Sequence, residues 1–465
     1  MSNSTGSINY ATDYQLDSLV LVTSLTDGIV NLMPYLVELN LFEDIYSSSI
    51  SGQLVISDGL GILSKYFISG TEFIEMSVRK SSQENSAYKK TFRIFKISNR
   101  TTNPNNMYEV YTINFCSEEF LLSEQYRISK SYRGTKISDI VYSIMKNYVQ
   151  VGTSASAKNL DIENTSGVYD FILPNKKLFE TINWLSTYAQ SQNNNGADMV
   201  FFENADGYFF YSLQTMFKSD PYQTYFYDPK NITQNLNQQV VNVKEFEILD
   251  FFDTLGGISN GTFSNQLITL DPLLRKSNTI HFNYDDYYNN STHLNKASVI
   301  NNYVNRNGDT LYDKPSNGLT SGALRMATSN SEQKKNSFIS QSSKIDSVGN
   351  DIFIEKFMSN RVAQVALANY TRIKIAVPGD SYITAGKTVI FNSYGVAPTS
   401  YTPSGGDSER RLDPFYSGKY LVTAVRHIIK NNSFVSIVEL AKDSSTSGYA
   451  AYNNSNLDGF VKGTQ

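Results

Sequence analysis

Residues 418–441 hold the feature that most constrains this chain, which is a pair of strand-forming runs around a short polar turn. The first run carries, in order, Gly418, Tyr420, Val422, Val425 and His427. β-branched and aromatic residues on both sides of Lys430-Asn431-Asn432-Ser433 predict a β-hairpin. Strict alternation predicts Tyr420 and Val422 on one face and Leu421 and Val425 on the other. A strand that is apolar on both faces needs a cover on each side, which indicates a chain built for an assembly.

The composition favours a β-rich protein of two to four domains. The chain has 465 residues, with 32 Tyr, 27 Phe and a charged share of 18%, below the usual value of about 25%. Its net charge is −4, and no long Lys/Arg run occurs. This balance argues against tight nucleic-acid binding, but it is compatible with a channel along which DNA passes without adhering.

The cysteine count and the N-terminal residues indicate the kind of cellular compartment that this chain occupies. Cys116 is the one cysteine, so internal disulfides are excluded, and we predict a buried small apolar residue there. Residues 1–7 lack the basic and apolar regions of a signal peptide, and no apolar run approaches the ~20 residues of a membrane span. We therefore expect a reducing compartment and no membrane segment.

Periodicity divides the chain into blocks. Residues 17–118 alternate as about five strands, enough for a small barrel or sandwich, and 119–235 read as a mixed α+β domain. In that domain we predict a helix after Gly134-Thr135, a second helix capped by Asn175, and a hairpin around 204–207. The β pattern returns in 236–299 and 366–443. The remaining blocks are a flexible arm at 1–16, an insertion with a long loop and a helix at 300–365, and a polar tail at 444–465.

Catalytic and metal-binding patterns are weak. His281, His293 and His427 lack metal-ligand spacing, although His281 and His293 flank Asp285-Asp286 in a faint metal-site pattern that also fits an exposed loop. P-loop and HExxH motifs are absent from the sequence. We therefore predict no enzyme activity, no cofactor and no metal.

Two further clusters have a functional and a plain interpretation. Glu245, Glu247, Asp250 and Asp253 could supply paired carboxylates for glycoside hydrolysis, but exposed strands carry such acids routinely. The aromatic run at 222–227 could stack on bases or sugars, but core or interface packing is favoured.

Several segments, taken in order over residues 35–443, resemble one family. They are Gly52–Asp58, Ser69-Gly70-Thr71-Glu72-Phe73-Ile74, Tyr132–Ile140, Gly207–Leu213, Pro378-Gly379-Asp380, Ala385-Gly386-Lys387, and Ser417-Gly418-Lys419-Tyr420 through Asp443. This series resembles the central baseplate hub proteins of contractile phage tails, of the T-even type, and the hub half of type VI secretion spike proteins. The chain differs from that pattern by longer stretches at 300–352 and 397–410 and by the lack of a lysozyme or needle module.

The resemblance implies a mainly β fold with an α+β insertion, in which 17–118 and 236–299 with 366–443 form two tube-like β-barrel domains. Three subunits would place six barrels in a trimeric ring, matching the hexameric tail tube to a trimeric spike. Implied partners are copies of the chain itself, the tail tube protein, the spike protein, and baseplate wedge or other tail proteins, with DNA in transient passage. The expected location is the virion tail, after assembly in the host cytoplasm.

The resemblance and the hairpin together also mark residues expected to define the fold or an interface. They are Asp58, Gly70, Gly379, Asp380, Gly386, Gly418, Tyr420, Val422, Val425 and His427. The loops at 300–352 and 397–410 are expected to dock neighbouring tail proteins.

Three other functions stay open at this point. The chain could be the hub of a non-viral contractile injection system, such as a pyocin or a toxin syringe. It could be a carbohydrate-active tail protein that uses the acids at 245–253. A receptor-binding fibre is a weaker alternative, because such fibres usually show internal repeats.

Overall fold

The structure is a computed structural model, and it describes most of the chain. The described residues are 11–23, 28–66, 68–79, 88–103, 108–152, 158–194, 196–228, 236–271, 275–283, 288–298, 323–328, 354–394, 412–413, 415–430 and 433–446. The loop at 397–410 lies outside these residues, and so does 300–352 apart from 323–328.

Strands dominate the described residues. In chain order they are β1 (Gln15–Val22), β2 (Ile29–Asn31), β3 (Leu36–Asp44), β4 (Ser51–Asp58), β5 (Phe73–Arg79), β6 (Tyr88–Asn103), β7 (Tyr108–Cys116), β8 (Arg127–Ile128), β9 (Ser131–Thr135), β10 (Asn159–Ile162), β11 (Tyr169–Ile172), β12 (Lys176–Lys177), β13 (Met199–Asn204), β14 (Gly207–Ser212), β15 (Pro221–Tyr227), β16 (Glu245–Phe251), β17 (Ser264–Asp271), β18 (Lys276–Asn283), β19 (Ala297–Ser298), β20 (Leu324–Thr328), β21 (Thr371–Pro378), β22 (Thr388–Ser393), β23 (Gly418–Lys430), β24 (Ser433–Lys442) and β25 (Ser444–Ser445).

Helices are fewer than strands. They are α1 (Ile62–Lys65), α2 (Glu118–Gln125), α3 (Ile137–Ile144), α4 (Leu178–Ser186), α5 (Leu213–Phe217), α6 (Leu236–Val241), α7 (Thr254–Asn260) and α8 (Ile354–Ala368). A 3₁₀ turn covers Met33–Tyr35, and a π-helical turn at Met145–Val149 extends α3.

One 13-stranded sheet organises the described strands. Its main path runs β16-β21-β24-β23-β3-β4-β7-β6-β5-β1-β2, while β22 pairs with both β23 and β15. We call the part with β1–β7 the first roll, and the part with β15, β16 and β21–β24 the second roll. Within each roll the sheet curls around its own apolar core, so that Leu19 of β1 and Leu39 of β3 share one cluster although five pairings separate their strands.

The two rolls have the same strand order. The first runs β1-β5-β6-β7-β4-β3, and the second runs β15-β22-β23-β24-β21-β16. The long hairpin β6–β7 therefore corresponds to β23–β24, which we call the shared hairpin, and β3 corresponds to β16. The match departs at one place, because β15 runs parallel to β22 whereas β1 runs antiparallel to β5. Since the sequence shows no direct repeat, the likeness lies in the pairing alone.

The structure does not show the two tube-like β-barrel domains implied by the resemblance as closed barrels. None of the described sheets closes on itself, and the two rolls are successive parts of one open sheet. The physical reason is that β23 changes partner along its length, from β22 of the second roll to β3 of the first roll. Block boundaries drawn from periodicity stay predictions, and β15, which lies inside the 119–235 block, pairs within the second roll.

A middle domain, which we define as residues 118–217, packs helices on a small sheet. The helix predicted after Gly134-Thr135 is confirmed as α3, and the predicted hairpin is confirmed as β13–β14. α3 and α4 bury Ile140, Ile144 and Ile182 against that sheet. The cap prediction was wrong, because Lys177 stands at the cap position of α4 and Asn175 instead adopts a φ of +51° in the preceding turn.

Helix α8, predicted from its apolar spacing and confirmed, ties the middle domain to the hairpin β17–β18. Its Arg361 donates to the carbonyl oxygens of Ser186 at 3.0 Å and Ala197 at 2.8 Å. On its other side Leu367 packs with Phe263 and Phe282. One arginine therefore satisfies carbonyl groups at the end of α4 and just before β13.

Gly379 offers a test of how tightly the first and second rolls meet. A Cβ at this position would lie 2.0 Å from Cγ of Phe434, whose ring belongs to the first-roll core. We expect Gly379→Ala to lower the free energy of unfolding by about 1–3 kcal/mol, because backbone or ring must shift. Gly59→Ala is the matched control, since nothing lies within 4 Å of its added Cβ. Urea titration measures both, and equal unfolding midpoints would contradict the close packing.

Candidate functional site at the shared hairpin

The centre of the site is the place where β23 passes from one roll to the other. Residues Gly418–Leu421 pair with β22, and Ala424–Lys430 pair antiparallel with Asp44–Glu38 of β3. Thr423 lies between these halves as a bulge against β24, and its carbonyl oxygen accepts the backbone N–H of Ile45 at 2.9 Å. A bulge turns a strand and changes its direction of pairing, so it can redirect β23 toward a new neighbour.

The bulge also decides which way the side chains face. The prediction that Val425 opposes Tyr420 and Val422 was wrong, because all three lie in the second-roll core. The extra residue at Thr423 shifts the alternation by one position. Leu421 does face the other way, into a cluster with Phe202 of the middle domain. The prediction that this strand is covered on both faces is therefore confirmed for residues 420–423, which are all buried.

Charges at this strand pairing are complementary. Lys430 Nζ contacts Glu38 Oε2 at 2.8 Å, and the Arg426 guanidinium donates to Asn40 Oδ1 at 2.9 and 2.8 Å. The Lys430 hydrogen bond is the foremost cause that holds the pKa of Glu38 below its usual range. A basic half of β23 thus lies against an acidic β3, which favours this partner over a like-charged edge.

A loop at 379–387, which we call the seat loop, joins both rolls to the middle domain. The backbone N–H of Gly386, at a φ of +91°, donates to the carbonyl oxygen of Val422 at 2.9 Å. Ala385 donates its N–H to Glu43 Oε2 at 3.2 Å and accepts from Asn204 Nδ2 at 2.8 Å. A Cβ on Gly386 would meet the ring of Phe202 at 2.8 Å, so only glycine fits this approach without strain.

Glu43 is a buried acid in the middle of this junction. Burial is the largest cause that raises its pKa to about 8, and the Ala385 hydrogen bond opposes that rise. At neutral pH this carboxyl group is therefore mostly protonated, which avoids placing an unpaired charge between the rolls.

The other predicted residues fall into two groups. Asp380 and His427 lie at the junction, where Asp380 accepts from the Tyr222 hydroxyl at 2.8 Å and His427 Nδ1 lies 2.9 Å from Ser436 Oγ. Of the remaining three, Asp58 is the last residue of β4, Gly70 lies in a bend before β5, and Gly418 is the first residue of β23. Asp58 accepts the N–H of Ile62 at 2.6 Å, Gly70 donates to Glu72 at 2.7 Å, and Gly418 has a φ of +136°. Their roles at an interface stay predictions.

A charged network between the first roll and the middle domain was not predicted from the sequence. Lys158 contacts Glu119 Oε2 at 2.6 Å and Glu203 Oε1 at 2.7 Å, and Glu203 Oε2 accepts the N–H of Ile50 at 2.9 Å. Burial lowers the pKa of Lys158, but the two carboxylates raise it overall. These residues are distant in the chain, so no local pattern could have revealed the network.

The candidate catalytic groups do not form a catalytic arrangement. Glu247 is paired with Lys374, Asp250 with Arg372 at 3.1 Å, and Asp253 caps α7 through the N–H of Gly256. The pair Asp285-Asp286 lies outside the described residues. Among the residues that the structure describes, no cluster of His, Cys, Asp and Glu could hold a metal ion, and no helix is long and apolar enough to cross a bilayer.

Comparisons with known proteins bear on the resemblance drawn from the sequence. No family model matches the chain. The chain is 23% identical over 417 residues to the probable baseplate hub protein gp334 of Vibrio phage KVP40, covering 85% of this chain and 87% of that protein. The resemblance to baseplate hub proteins is therefore confirmed.

Solved structures add the fold. A tail protein from Neisseria meningitidis MC58 has a TM-score of 0.50 at 8% identity, covering 93% of this chain and 97% of that chain. The 43 kDa tail protein of prophage MuSo2 from Shewanella oneidensis also has a TM-score of 0.50 at 8% identity, covering 92% and 98%. Both likenesses show a shared fold and nothing further.

Lys158 tests the network between the first roll and the middle domain. We expect Lys158→Met to lower the free energy of unfolding by about 3–5 kcal/mol, because it leaves the buried Glu203 carboxylate without its counter-charge. Lys176→Met is the matched control, since Lys176 pairs with Glu180 on the surface. Denaturant titration of both variants measures the difference. A Lys158→Met protein as stable as the control would show that the network contributes nothing.

His427 predicts an acid-sensitive step at the junction. Burial lowers its pKa to about 4, so the folded chain holds a neutral imidazole that becomes protonated on unfolding below about pH 6.5. This contribution is present above pH 6.5 and is lost as the pH falls toward 4, by about 3 kcal/mol in full. We expect His427→Gln to show a shallower loss of stability in that window. Parallel curves of unfolding free energy against pH for the two proteins would contradict this role.

Proposed function

We propose that this chain is the structural hub of a contractile phage-tail baseplate, working as a homotrimer in the virion. The observation that carries the proposal is the pair of rolls with one strand order inside a single chain. Support comes also from the similarity to a probable baseplate hub protein over 85% of the chain. No catalytic step is part of this role.

The proposed work of the hub is symmetry matching. Three copies with two matched rolls each present six similar units around one axis, while the rest of the chain keeps threefold symmetry. Such a ring can dock on a hexameric tail tube on one side and on a trimeric spike on the other. The middle domain and the loops at 300–352 and 397–410 are then free to contact the spike, wedge or other tail proteins.

A ring of this kind leaves a central opening, which we propose as part of the DNA ejection channel. The net charge of −4 gives no long-range attraction for phosphate groups, so DNA can pass without being retained. A conduit works by weak contact, and a strongly basic lining would slow the genome.

The copy number and symmetry of the purified protein test the proposal. We expect the solution mass to correspond to three copies, and class averages in the electron microscope to show a ring with six similar lobes and a central hole. Adding the purified tail tube protein should place tube rings coaxially on this ring. Trimers without a hole, or particles that bind the tube protein off the axis, would contradict the adaptor function.

A further inference from the structure

The shared strand order has a consequence for how copies meet. In the second roll, β23 pairs with β22 up to Leu421, passes the bulge at Thr423, and then pairs with β3 from Ala424 onward. In the first roll, β6 pairs with β5 up to Arg93 and passes a bulge at Phe95. The corresponding strands therefore share a bulge at the point where the first partner ends.

Beyond that bulge the two strands differ. Residues 96–103 of β6 pair with β7 on one side, and no strand in the described part of the chain pairs with the other side. The corresponding half of β23 is the half that pairs with β3. A long strand with one unpaired side can bind another strand, so that side needs either a partner strand or a feature that blocks pairing.

A second free edge lies at the other end of the sheet. β16 pairs with β21 along one side, and across the described ranges no strand pairs with its outer side. β16 corresponds to β3, which is the strand that β23 engages inside the chain. Inside the chain, β23 pairs with β3. In the described part of the chain, the counterpart of β23, which is the free half of β6, and the counterpart of β3, which is β16, each keep one unpaired side.

We propose that the free half of β6 in one copy pairs antiparallel with β16 of the next copy, repeating the β23–β3 junction between subunits. This inference rests on the proposed homotrimer and names the surface that would build it. The contact is head-to-tail, so it can close into a ring in which junctions within and between chains alternate.

Charge supports the choice of partner. The free half of β6 carries Lys96 and Arg100, and β16 carries Glu245, Glu247 and Asp250. Within one copy Arg100 also pairs with Glu109, while Glu247 and Asp250 pair with Lys374 and Arg372 at the surface, so the contact between copies would share these charges with their present partners. The junction within the chain has the same distribution of charge, because the basic half of β23 pairs with the acidic strand β3. Strand pairing between like-charged edges would be repulsive, so β6 with β6 or β16 with β16 is disfavoured.

Apolar exposure and backbone strain point to the same edges. Phe95 is 49% exposed at the β6 bulge, and Ile248 of β16 is 43% exposed. Phe252, directly after β16, is 57% exposed and has a φ of +51°, which is costly for a bulky residue. Phe252 corresponds to Asp44, the residue opposite Ala424, so the repeated junction would bring Phe252 beside Lys96.

The correspondence also gives a register. Arg100 and Ile428 stand at the same distance past their bulges, and Ile428 lies opposite Asn40. Asn40 pairs with Gln53 as Glu247 pairs with Lys374 in the matching strands. Arg100 is therefore expected near Glu247 of the next copy. A further bulge lies between Ser98 and Thr101, so the residue directly opposite Arg100 can shift by one position. Charge substitutions test the contact well because their effect does not depend on the exact register.

Charge reversal with rescue tests the pairing. We expect Arg100→Glu and Glu247→Arg each to raise the protein concentration at which trimers dissociate by about tenfold or more, since each places like charges together across the edge. The protein with both substitutions should regain wild-type trimer stability. Lys89→Glu is the matched control, because Lys89 is exposed on the same strand but lies within the half paired with β5.

Disulfide formation gives an independent readout. The native Cys116 is buried, and burial raises the pKa of its thiol to about 12, so it should not react. Mild oxidation of the Arg100→Cys/Glu247→Cys protein should give covalent dimers and trimers on a denaturing gel, whereas Lys89→Cys/Glu247→Cys should stay monomeric.

The outcomes separate this proposal from the one on which it rests. Wild-type trimers with no effect of either reversal and no disulfide-linked oligomers would overturn the edge pairing and leave the homotrimeric hub standing. The edge pairing would also be overturned if each single reversal weakened the trimer, the double variant did not restore it, and no cross-links formed. That result would show that each substitution destabilises only its own strand, because Arg100 and Glu247 lie at opposite ends of the sheet within one copy. Wild-type monomers at all concentrations would overturn both.

Discussion

The antiparallel pairing of β23 with β3 is the interaction on which the rest of this structure depends. It joins residues from the two ends of the chain, since Lys430 lies opposite Glu38. Without it the two rolls would be separate sheets, each with an exposed edge. With it, the shared hairpin belongs to both cores: Val422 packs in the second roll, while Ile429 and Phe434 pack in the first. Pairing over so long a separation is entropically costly and slow to form, so it must be reinforced by packing elsewhere.

The seat loop and the middle domain supply that reinforcement. Gly386 places the loop backbone against Val422, and Ala385 links Glu43 of the first roll to Asn204 of the middle domain. Leu421 then closes the outer face of β23 against Phe202. Because these contacts come from three parts of the chain, they fix the direction in which one roll leaves the other. A fixed direction is what a ring requires, since a flexible joint between rolls would not close reproducibly.

Local pattern predicted the elements and failed on the pairing between them. The hairpin at 418–441, the helix α3 and the hairpin β13–β14 follow from side-chain alternation or helical spacing, and the structure contains all three. The bulge at Thr423 carries no signal in side-chain type, so the direction of Val425 could not be predicted. The same holds for closure of the barrels, because partner choice by an edge strand depends on charge and shape far away in the chain.

The matched strand order could not be recognised from the sequence either. Equivalent positions carry different side chains: Asn40 in β3 corresponds to Glu247 in β16. They differ because the edge of β3 is paired within the chain, whereas the edge of β16 is exposed. The charged pattern of β16 looked like an ordinary solvent-facing strand or a weak catalytic cluster. Because β16 lies at the end of the sheet and corresponds to β3, we propose that its acidic side chains belong to the edge that binds the next copy.

Native-state hydrogen exchange tests most directly whether the two rolls form one sheet. Amides in β4 belong to the first roll and amides in β21 to the second, and both strands are paired on each side. If the shared hairpin couples the rolls, these amides should exchange with the same free energy, and that free energy should fall together with added denaturant. Exchange of one roll at a clearly lower free energy, with the other still protected, would contradict a single cooperative sheet.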